Sequence, residues 1–163
     1  MSLYIETTDL VDICNKLMDG HVSYVLGSKA PHFDTDAAKI KTIDCSGFVQ
    51  YVLYNASNKT AILKSGSYYQ NQWCLDHKLD KVAYSTAAES DGWLRLGYFA
   101  ASKTQSSGHI WLILGGKTLE SHGGKGPDRR EWNTNVLTKN VTACYKVAQL
   151  FSQFHVINWN NVG

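Results

Sequence analysis

Cys45 follows an aspartate and precedes two small residues, Ser46 and Gly47, at the head of the run Phe48-Val49-Gln50-Tyr51-Val52-Leu53. Phe48, Val49, Val52, Leu53 and Ala56 recur at helical spacing, so this run reads as a buried helix with Asp44 as its N-cap and Cys45 in its first turn. A helix start carries unpaired N–H groups and the positive end of the dipole, both of which favour a thiolate. Ser46 and Gly47 leave room for a substrate backbone, and first-turn amides can stabilise a developing oxyanion. The other cysteines read differently. Cys14 lies on the apolar stripe Leu10, Val11, Ile13, Leu17, Met18, Cys144 sits in an alternating run, and Cys74 with His77 makes half of a metal-like spacing, too few ligands for a site.

A cysteine nucleophile needs a base, and the chain has six histidines. Two can be placed against each other. The segment His109 to His122 reads as a hairpin turning at Gly115-Gly116, with Leu114 opposite Lys117, Trp111 opposite Glu120 and His109 opposite His122. Directly opposed side chains share a face, so one imidazole could orient the other. A turn one residue longer would instead bring Gly123 opposite His109, and Glu120 would become the residue to test as orienter.

The elements that must carry these residues follow from the same reading. A helix is expected from Thr8 to Met18, stopped by Gly20, then a loop to about Thr42, the Cys45 helix, and a short helix from Tyr68 to Leu75. Strands are expected at Trp93 to Ala100, His109 to Leu114, Lys117 to His122 and Val141 to Leu150. Helices first and strands after predict an α+β fold. At 163 residues the chain has the length of a single domain, 1–163, by the usual ~100–200 residues.

Composition excludes several classes. Hydrophobic residues at 44% predict a packed core and not a disordered chain. The balance of 16 basic and 14 acidic residues, net +2, makes no electrostatic case for nucleic acid. The longest apolar run, Ile110 to Leu114, is far short of a membrane span, so no membrane insertion is expected. The first residues have neither the basic nor the apolar region of a secretory signal, which predicts synthesis in the cytoplasm.

Asp44-Cys45-Ser46-Gly47-Phe48-Val49 at a helix start, Gly108-His109-Ile110-Trp111-Leu112-Ile113-Leu114-Gly115 and the upstream Tyr24-Val25-Leu26-Gly27 together resemble the NlpC/P60 cysteine peptidases, papain-like α+β enzymes that cut peptidoglycan stem peptides. The resemblance implies Cys45 as nucleophile, His109 as base and His122 as the polar residue that orients it. It also implies Tyr24 near the nucleophile, and it leaves Asp44 as either a helix cap or a partner for a substrate amine. The stretch from Glu120 to Trp132 is similar to the loop after the third catalytic strand in phage-type members. The Pro-Gly-Asp that commonly precedes the histidine strand is absent; Trp93 to Ala100 stands in its place. No metal or cofactor is implied. The expected partner is a peptidoglycan stem peptide, met at the cell wall after lysis or delivery. A phage particle, a secretion apparatus or, for an amidase toxin, an immunity protein would be further partners. A catalytically silent wall-binding module is the alternative of a different class.

Overall fold

The computed structural model describes residues 3–102 and 107–151. A short strand β1 (Leu3–Glu6) leads directly into α1 (Thr7–Asp19), followed after a long loop by α2 (Cys45–Ala56) and α3 (Ser67–Asp76). Then come β2 (Trp93–Phe99), β3 (His109–Leu114), β4 (Lys117–His122), β5 (Gly126–Asp128), α4 (Asn135–Asn140) and β6 (Ala143–Phe151). The strands form one sheet in the order β1-β6-β2-β3-β4-β5. All its contacts are antiparallel except the parallel pairing of β1 with β6.

The expected helices and strands are present with small changes at their ends; β1, β5 and α4 are additions. β1 offers only Leu3 and Ile5 to the core, too little pattern to read, and its partner β6 lies at the far end of the described chain. Pro127 lies in β5, at the sheet edge, where a missing N–H is tolerated.

Two apolar layers sandwich the sheet. On one side α1 buries Leu10, Val11, Cys14 and Leu17, and α2 buries every residue except Tyr54, and Asn55. These pack with Ile110, Leu112, Leu114 and Leu119. On the other side Trp111 and Ile113 of β3 join Phe99, Leu137 and Cys144. β3 is therefore buried on both faces, which is why it reads as an unbroken apolar run rather than an alternating one.

Gly115 and Gly116 have φ of 54° and 79°, the positive values a two-residue hairpin turn demands, and the ladder begins at Leu114 opposite Lys117 as expected. Among the described residues no helix is long and apolar enough to cross a membrane.

Candidate active site

Asp44 ends the loop and caps α2, its Oδ1 accepting the Gly47 N–H at 2.7 Å. That bond fixes Cys45 as the first residue of the helix, 5% exposed, at the mouth of a cleft. The cleft has a volume of about 440 Å³ and is lined by Cys45, Asp44, Lys29, Gly66 and Gly108. It adjoins a second hollow of about 350 Å³, lined by Tyr24, His109, His122 and Arg130, and the two share Ser107 and Gly108.

His109 opens β3, buried against Trp111 and Phe99, whose ring centroids lie 5.4 and 5.5 Å from its own. It donates Nε2–H to Glu120 Oε1 at 2.9 Å, which leaves Nδ1 unspent for the neighbouring Cys45 thiol. Glu120 is fully buried and is gripped from behind by Arg130, whose Nη2 reaches Oε1 at 2.5 Å and whose Nε reaches Oε2 at 3.1 Å. Burial alone would depress the His109 pKa, but the hydrogen bonds to Cys45 and Glu120 and the charges of both outweigh it and raise the pKa to about 9. Burial likewise works against the Glu120 carboxylate, and the hydrogen bonds from His109 and Arg130 overcome it, holding the pKa at about 2. Imidazole, carboxylate and guanidinium thus form one hydrogen-bonded chain, with the Cys45 thiol as the electrostatic partner at its open end.

The expected partner of His109 is corrected here. His122 does not meet the His109 ring; it bonds Asp128 Oδ2 through Nε2 at 2.8 Å and the Gly123 carbonyl through Nδ1 at 3.1 Å. The cause is not a longer turn. The β3–β4 ladder keeps its register through Leu112 opposite Leu119, but beyond it β4 pairs with β5 instead, Glu120 with Asp128 and His122 with Gly126. Ser121 ties that stretch to the Ile43 carbonyl at 2.8 Å. The strands part, His122 follows β5, and the longer Glu120, a diagonal neighbour, reaches back to His109.

Two further expectations are narrowed. Asp44 does not present a free carboxylate to a substrate amine. Besides Gly47 it accepts from Ser46 Oγ (3.2 Å), Gly27 N (3.0 Å) and Lys29 Nζ (2.5 Å), so the cap is the reading that stands. Ser46 is 2% exposed and its hydroxyl, spent on Asp44 and on the Gly66 N–H at 3.1 Å, is not offered to a substrate. Tyr24 does lie beside the nucleophile. Burial, then the neighbouring Cys45 and Asp44, push its pKa up to about 12, so the phenol stays protonated as a donor in the hollow. Cys14, Cys74 and Cys144 are buried, and desolvation raises the thiol pKa of each.

Arg130 and Lys29 were not singled out in the sequence. Arg130 belongs to a charged stretch that reads as solvated loop; the β4–β5 pairing, continued by Arg130's own backbone bonds to Thr118, carries it onto Glu120.

No family model matches the chain, and no curated protein matches it significantly. Among solved structures it is similar to the crystal structure of a Staphylococcus aureus protein described as similar to a lipoprotein, of the NLP/P60 family. The TM-score is 0.59 at 14% identity, over 91% of this chain and 44% of that one. This chain therefore spans less than half the length of that structure, and what the two share at this identity is the fold: a mixed α+β arrangement of NlpC/P60 type.

Proposed function

We propose that the chain is a cysteine hydrolase of NlpC/P60 kind that cleaves amide bonds in peptidoglycan stem peptides through an acyl-enzyme on Cys45. The observation that carries this reading is Cys45 at the mouth of an open cleft beside a His109 ring that Glu120 holds by its Nε2–H.

The thiolate attacks the carbonyl carbon, and the carbonyl electron pair moves to oxygen. Phe48 N–H makes the first bond inside α2, to the Asp44 carbonyl, and Gly47 N–H is taken by the Asp44 carboxylate. The Cys45 and Ser46 N–H groups precede these and are the ones left to meet the oxyanion. Collapse breaks the C–N bond, the proton held by His109 passes to the leaving amine, and a thioester remains. Water then adds with loss of a proton to His109, and the thiolate departs from the released carboxylate. Glu120 holds the ring with Nδ1 toward sulfur and favours its cation, and Arg130 keeps Glu120 ionised.

Mass spectrometry of muropeptides from purified cell walls tests the reading. The wild-type chain is expected to release new peptide ends, and Cys45→Ala, folded, to release none. Rapid alkylation of Cys45 by iodoacetamide, with Cys14, Cys74 and Cys144 spared, separates an enzyme from a silent wall-binding module. Cleavage by folded Cys45→Ala overturns the mechanism.

A further inference from the structure

The loop before α2 brings a cation to the cleft that the hydrolytic chemistry does not use. Lys29 lies across the first turn of α2: a Cβ on Gly47 would come within 2.9 Å of Lys29 Cδ and 2.8 Å of the Ser28 carbonyl, so glycine is what lets this segment pass. The ammonium sits 2.5 Å from Asp44 Oδ2, and the lysine side chain is 21% exposed against 5% for the aspartate. Lys29 and Cys45 line the same cleft.

Donor and acceptor capacity beside the thiol is lopsided. A carboxylate has about four acceptor positions, and Asp44 fills them with Gly47 N, Ser46 Oγ, Gly27 N and Lys29 Nζ. An ammonium has three donors, and among the described residues Lys29 spends one, on Asp44. The acceptor side of the pair is saturated, while the donor side retains hydrogens at the cleft surface. The adjoining hollow has the same sense: His109, His122 and Arg130 line it, whereas Glu120 and Asp128, the carboxylates they engage, do not. A substrate carboxylate finds donors here; a substrate ammonium finds no free acceptor on Asp44 and meets Lys29.

We propose that Lys29 is a specificity-determining residue that selects peptides bearing a free carboxylate beside the scissile amide over the corresponding carboxamides, and disfavours a free amine at that place. The proposal rests on Cys45 being the reacting thiol, as in the proposed function.

The test compares alkylation of Cys45 by iodoacetate and by iodoacetamide, reagents of like shape that differ in charge, in the full chain. His109 acts on both reagents in every variant, so its effect cancels between variants. Lys29→Met is expected to lower the iodoacetate-to-iodoacetamide rate ratio roughly five- to tenfold, the size of one partly exposed charge-assisted hydrogen bond, and Lys29→Arg to preserve it. The double variant Lys29→Met/Asp44→Asn is expected to stay low, because the cation is gone although no bare carboxylate remains, and the neutral N–H donors of an amide do not replace an ammonium's charge-assisted bond. An unchanged ratio in Lys29→Met, or its return to the wild-type value in the double variant, overturns the proposal; the second result would reduce Lys29 to neutralising Asp44. Labelling of buried Cys14 reports unfolding, and Lys29→Gln replaces Lys29→Met should that occur. With muropeptides identical but for carboxylate or carboxamide, kcat/KM ratios are expected to follow the same order. No cleavage of either muropeptide alongside a lowered alkylation ratio would remove the peptidoglycan reading and leave the anion selection by Lys29 standing.

Discussion

At His109 two acidic or basic partners were available, and reach decides between them. Glu120 has the length to cross from a diagonal position, and Arg130 behind it keeps it ionised, whereas His122 is turned away by Asp128. Glu120→Ala is therefore expected to lower kcat/KM roughly a hundredfold, toward the lower end of what general acid–base catalysis contributes, with KM little changed. Glu120→Gln, which can still accept the Nε2–H, is expected to keep part of that loss from appearing, and His122→Ala to give rates of wild-type order. The pH profile separates positioning from mere structure. His109 holds its proton up to about pH 9 through the bonds and charges of Cys45 and Glu120, so the alkaline limb of kcat/KM is expected near that value. In Glu120→Gln one of those charges is gone, and the limb should move to lower pH; an unmoved limb would deny Glu120 its part. Cys45 and His109 were legible in the sequence because a helix start and a strand start each leave a local signature. The orienting carboxylate was legible only as the alternative tied to a longer turn and not in the register the strands keep, since strand divergence after Leu112 depends on Ile43 and β5, which no hairpin pattern contains.

Among the elements, α2 carries the most consequence, and its position depends on one side chain. Asp44 joins the helix start to the segment at Gly27 and Lys29, and the Asp44 N–H reaches back to the Ser28 carbonyl at 2.9 Å, so cap and cleft wall are one unit. Asp44→Ala removes the cap and leaves Lys29 without its partner. A loss of about 1–2 kcal/mol in unfolding free energy is expected, read from denaturant midpoints, together with slower alkylation of Cys45 as the helix start frays. Unchanged stability would mean that the Ser28 contact alone holds the turn. The cap, the Gly115-Gly116 turn and the strand spans around it could be read from the chain, because each is a local arrangement of two to six residues with its own stereochemistry. β1 and β5 could not, being short segments that exist only where β6 and β4 present an edge to them.

For the molecule as a whole, the same buried pair sets a pH window of stability. His109 is raised from its ordinary 6.5 to about 9, so its contribution is fully present below pH 6.5 and is lost as pH rises through about 9. Glu120 is lowered from 4.5 to about 2, so its contribution is present above pH 4.5 and is lost as pH falls through about 2. Both are complete only between about pH 4.5 and 6.5. Replacing Glu120 by Gln removes the carboxylate's share and much of the histidine's, and it strands Arg130 beside a neutral amide at every pH. The difference in Tm between wild type and Glu120→Gln is therefore expected to be largest in that window and to shrink on both sides. It should settle at alkaline pH on the residual cost of the unpaired guanidinium and not reach zero. Tm measured across pH 3 to 10 on both chains, with Cys45 intact, checks this. A difference that does not vary with pH would mean that His109 and Glu120 do not titrate as a linked pair, and the hydrogen-bonded series from imidazole to guanidinium would lose its electrostatic basis.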